Sequence, residues 1–167
     1  TGILIIVYET YTPMYSEIFQ KVHGAKNKES KMKVLQKYRT EQLEMFLNAA
    51  LNPNIEWLLP AGKVPFKAND SPDGEGEGMR LSAQVRTLHN YVKMNRDHVK
   101  MEPVIGNPAI NRTRREMMFI QMLEGLHEDE AQLVLLAKDK NLNREYKGLN
   151  ASTVTEAYGW DEHFQPR

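Results

Sequence analysis

The chain contains no cysteine. A disulfide framework, a thiolate metal site and a cysteine nucleophile are therefore all excluded. Long apolar runs are missing as well: residues 3–7 form the longest, and it is far too short to cross a bilayer. That run also lacks a basic start and a small-residue cleavage site, so it does not read as a signal peptide. Net charge is absent too, with 22 Lys+Arg set against 22 Asp+Glu. Such a balance argues against a strong, indiscriminate polyanion binder. Together these absences point to a reducing compartment, no membrane, and any charge effect confined to local patches. In that setting the triplets at 111–113 and 150–152 read as helix starts rather than glycosylation sites.

What is present fits one globular domain. Its 167 residues are 41% hydrophobic, enough to bury a core unaided. Residues 1–11, rich in Ile, Val, Thr and Tyr, read as an extended or strand-like lead-in, and 12–167 as a single helical domain. Thr12-Pro13 opens a helix that Gly24 stops. A second helix is expected over 28–38 and a third over 40–51, ended by Asn52-Pro53. Prolines and glycines through 53–78 exclude long regular elements there, and its acidic second half, 68–78, reads as a loop. Leu81, Val85, Leu88 and Val92 predict a fourth helix over 79–94. Thr113 and Glu116 have the spacing of a capping box, opening a helix that ends at Gly125. Short helices follow over 128–137 and from about 150 to Gly159. The expected fold is all-α, with about six or seven short-to-medium helices.

Several patterns suggest chemistry and fail on their own terms. Glu124 and His127 share a helix face, but no second Glu-x-x-His pair exists to complete a di-iron site. The glycines at 74, 76 and 78 alternate with glutamates that would repel a phosphate. There is no nucleophile elbow and no His-Glu-x-x-His helix, so no catalytic residue, metal site or cofactor is expected.

Charge segregation carries more. Between Lys21 and Arg39 there are seven basic residues against one acid, Glu29. Lys26, Lys28 and Lys31 lie around the first interhelical turn. Arg114 and Arg115 begin the helix after residue 111. Lys138, Lys140, Arg144 and Lys147 fill the link before the last helix, with Asn and Ser donors beside them. Helix starts flanked by such residues suit phosphate oxygens. The plain alternative is an ordinary solvated face.

The run 14–57, with Lys31 to Leu35, Tyr38, Leu43, Leu47 and Leu51-Asn52-Pro53, resembles the amino-terminal helical module of phage-type ATP-dependent DNA ligases. Residues 115–158 resemble that module's closing part. The resemblance implies a helical array that grips duplex DNA through its backbone. It does not imply ligation, because no Lys-x-Asp-Gly nucleotidyl-transfer motif is present. More of the chain, through "NPNIEWLLPAGKVPFKAND" (52–70) and residues 118–164, is similar to an uncharacterised protein family of T4-like, often marine, bacteriophages. That similarity implies a phage origin and the host cytoplasm. The resulting expectation is a non-catalytic, sequence-indifferent binder of double-stranded DNA, serving replication, repair or packaging. The rival is an adaptor for a phage or host protein, or a virion component. It would use the apolar residues Trp57, Leu58, Leu59, Pro65 and Phe66 or the tail 160–164. A third possibility is an unrecognised nuclease.

Overall fold

In the computed structural model, residues 13–68, 80–95 and 104–167 are described. The lead-in 1–11 and the glycine–glutamate run 74–78 lie outside them. Three helices come first: α1 (Tyr15–Gly24), α2 (Lys28–Lys37) and α3 (Glu41–Leu51). Each start has a visible cause. Asn27 and Thr40 accept from the amides of Ser30 and Leu43, satisfying donors that a helix start leaves open. At α1 the job falls to Glu130, whose carboxylate accepts from the Tyr15 amide at 3.3 Å from far along the chain.

The second half contributes α4 (Leu81–Gln84), α5 (Arg112–Gly125), α6 (Glu128–Lys138), α7 (Leu142–Glu145) and α8 (Ala151–Tyr158). The mostly helical class expected from the pattern is what the molecule has. α6 is its centre, with Ala131, Leu133, Val134 and Ala137 fully buried. Its acidic first turn, Glu128, Asp129 and Glu130, complements the helix dipole. Around it Tyr15, Phe19 and Phe46 form an aromatic cluster with ring centroids about 6 Å apart. Each fully buried aromatic side chain contributes about 2–3 kcal/mol to holding the helices together. Trp57 and Tyr91 bracket Phe119 to form a second cluster.

Three local expectations are corrected. The 79–94 helix is only α4, followed by a 3₁₀ helix (Val85–Tyr91) and strand β2 (Val92–Met94). At three residues per turn, Val85, Leu88 and Tyr91 stack on one face and are all buried. The Thr87 hydroxyl also bonds back to the Gln84 carbonyl at 2.7 Å, which competes with α-helical continuation. Second, β1 (Ile55–Trp57), β2 and β3 (Val104–Ile105) form a small antiparallel sheet in that order, which the helical pattern had not suggested. Trp57 pairs with Val92, and Glu56 faces Lys93. Third, α5 is capped by Asn111, which accepts from the Arg114 amide. Glu116 turns to Arg112 instead of reaching back to Thr113.

Candidate nucleic-acid interface

Two of the three basic segments meet. The α1–α2 turn packs against the link between α7 and α8, more than a hundred residues away. The Lys147 amide donates to His23 Nδ1 at 3.0 Å, and the Tyr146 ring stands edge-on to His23. Lys28 reaches over to the Ser152 hydroxyl and the Glu156 carboxylate, both at 2.9 Å. Gly148 sits at φ 95° against the aliphatic stem of Lys31. A side chain there would strain the backbone and strike that stem, so a glycine is what lets the two segments close up.

The cations on this edge are not equivalent. Lys31 Nζ donates to the carbonyls of Val22 and His23, closing the end of α1. That leaves one of its three protons for an outside acceptor. Lys28 is paired with Glu156, whose carboxyl is held below its usual range first by that hydrogen bond. Lys26, Arg144 and Lys147 are exposed, and their charged groups have no carboxylate partner among the described residues. Asn150 adds the start of α8, its side chain accepting from the Thr153 amide.

Lys138 and Lys140 are a correction to the expected phosphate-contacting set. The Lys138 side chain is 0% exposed, and its ammonium donates to Pro60 O, Gly62 O and Asp139 Oδ1 at 2.7, 3.1 and 2.6 Å. All three donors are consumed, and no phosphate can reach them. Lys140 donates to the carbonyls of Ala49 and Asn52, both at 3.0 Å, covering the end of α3. Burial of the ammonium lowers its pKa to about 8. Both lysines are clamps that fasten the 49–62 segment to the end of α6. Neither clamp could be told from a surface lysine by sequence, because the carbonyls they serve are some eighty residues away.

The Arg114–Arg115 segment is divided as well. Arg115 donates through Nε to Asn90 O and through Nη2 to Ile110 O, fixing the approach to α5. Arg114 is exposed at the first turn of α5, which packs on α6 and the 3₁₀ helix, and no hydrogen bond or ion pair joins it to the edge among the described residues. The Glu124–His127 pair is also spoken for: Glu124 accepts from the Lys67 amide, and His127 Nδ1 accepts from the Asp129 amide. Among the described residues no group of three potential ligands could hold a metal ion, and no helix is long and apolar enough to cross a membrane.

The residues considered for a protein-binding surface are mostly internal. Trp57, Trp160 and Phe164 are buried, and Leu58, Leu59 and Phe66 are half-buried. Exposed large apolar side chains among the described residues are Met45 and Met117, on α3 and α5.

No curated protein and no solved structure matches the chain. One family model does, described as a family of unknown function, DUF6433, and it covers residues 18–144. That span runs from within α1 to within α7, including the α1–α2 turn and the other side of the joined edge up to Arg144, and the chain belongs to that family.

Proposed function

We propose that the protein is a non-catalytic, sequence-indifferent binder of duplex DNA, acting through the edge where the α1–α2 turn meets the α7–α8 link. The observation that carries this is the convergence of Lys26, Lys31, Arg144 and Lys147 on two segments tied by the Lys147–His23 hydrogen bond. Such cations recognise phosphates and carry no sequence information. The footprint is narrower than nine basic residues, since Lys138, Lys140 and Arg115 serve the fold and Arg114 stands apart. Affinity should therefore be moderate, as zero net charge also requires. The ligase-type resemblance of 14–57 and 115–158 supports the same reading. The bacteriophage resemblance supports a role in replication, repair or packaging in the infected host's cytoplasm.

An adaptor would need a broad apolar surface. The aromatic residues that would build one are engaged in the core, which is why DNA is favoured. Fluorescence anisotropy with a short labelled duplex tests the proposal. A K26E/R144E/K147E variant should bind at least about tenfold more weakly for duplexes of unrelated sequence alike. Unchanged affinity would remove this edge as the binding surface.

A further inference from the structure

His23 lies at the end of α1, and both sides of the joined edge bond to it. Its carbonyl accepts from the Lys31 ammonium at 3.1 Å, and its ring Nδ1 accepts from the Lys147 amide at 3.0 Å. An amide has only a proton to offer, so Nδ1 presents its lone pair and the neutral ring carries its proton on Nε2. The ring is oriented as well as protonated in one way. Tyr146 stands edge-on to it, with centroids 6.4 Å apart and planes at 89°, and is itself edge-on to the buried Phe19 at 5.9 Å. The imidazole is thus braced against the core by one neighbour and against the α7–α8 link by its own Nδ1.

This bracing leaves a donor of fixed kind on an exposed residue. The two ring nitrogens look in widely different directions, so Nε2–H cannot turn back to the amide that Nδ1 holds. Lys31 from α2 and Lys147 from the link bring positive charge to the same residue, and Lys26 follows three positions later. The carboxylate bonded on this edge, Glu156, is already taken by Lys28. An N–H donor among cations suits an anionic acceptor oxygen. Resting on the duplex-binding reading above, we propose that His23 is a further phosphate contact, its Nε2–H donating to a non-bridging oxygen of the DNA backbone. It differs in kind from the lysines beside it. A neutral donor releases no counterion, so it adds affinity without adding to the salt dependence. A braced ring also loses less freedom on binding than a long, mobile side chain.

The substitution H23N separates the contact from the brace. An asparagine oxygen stands close to the place of Nδ1, so the Lys147 amide keeps its acceptor while the outward donor is lost. Anisotropy at pH 8, where an imidazole is neutral, should show H23N binding a labelled duplex about fivefold more weakly. Its slope of log affinity against log salt should equal the parent's. A merely structural role would cost Lys147 its placement, and the slope would become shallower by about one. Nitrogen-15 NMR of the parent imidazole supplies a readout that needs no variant. It should find the proton on Nε2, and added duplex should shift Nε2 far more than Nδ1. Parent-like affinity of H23N, a slope shallower by about one, a proton on Nδ1, or an Nε2 signal that ignores DNA would each overturn the assignment. A parent slope near zero would remove the edge itself, so failure of the wider reading is told apart from failure of His23 alone.

Discussion

Replacing Lys138 with methionine separates a structural lysine from a DNA-contacting one. The side chain is wholly buried and its ammonium meets two carbonyls and the Asp139 carboxylate within 3.1 Å. Methionine keeps the apolar stem at similar volume, so little cavity cost arises. What remains is the loss of the charge: removing one partner of a buried pair costs about 3–5 kcal/mol. Asp139 keeps 23% of its side chain exposed, so water relieves part of that cost and places the loss near the low end. A loss of about 3 kcal/mol corresponds to a fall in melting temperature of about 6–12 °C for a chain of this length. Urea titration followed by circular dichroism gives the first number, and anisotropy under folding conditions gives the second. DNA affinity of the folded K138M protein should stay within about twofold of the parent. A variant of undiminished stability that lost DNA affinity tenfold would refute the assignment of Lys138 as a clamp.

Glu130 is 1% exposed and accepts from the amides of Tyr15 and Leu81, so it starts α1 and α4 at once. E130Q presents an amide nitrogen to one of those donors and should cost about 1–3 kcal/mol at neutral pH in urea titration. Burial, first among its causes, raises the Glu130 pKa above its ordinary value. The folded state then holds the proton more tightly than the unfolded one, so this group's contribution to stability is fullest below about pH 4.5 and falls as pH rises through the folded value. E130Q should abolish that component, and an unchanged pH profile would contradict it. G148A places a methyl against the Lys31 stem at a φ of 95°. It should destabilise by about 1–2 kcal/mol and weaken DNA binding by loosening the α1–α2 turn from the link; wild-type values for both would show that the close approach is unimportant.

Helices with strong local causes were legible in the sequence. Thr40 and Asn52-Pro53 bound α3 as expected, and Gly159 ends α8 with φ 70°. The failures share a physical origin in contacts across the chain. Val85 and Leu88 stand three apart, a spacing that both a 3.6-residue and a three-residue period allow, and the pairing of Val92 with Trp57 takes the chain out of the helix after Tyr91. Single-turn α7 was hidden inside a link whose charges looked loop-like. For the interface, composition identified the right segments but not the right side chains. A lysine that clamps carbonyls and one that faces solvent have the same local sequence context, so Lys138 and Lys26 could not be ranked.

Salt dependence of duplex binding tests the joined edge most directly. Lys26, Arg144, Lys147 and the spare proton of Lys31 amount to about three or four phosphate contacts, giving a slope of log affinity against log salt of about −3 to −4. Affinity should then fall on the order of 100-fold between about 50 and 200 mM salt. The R144E/K147E protein should show a slope shallower by about two. A parent slope near zero, or one that the double variant leaves unchanged, would mean that these residues do not hold a nucleic-acid backbone.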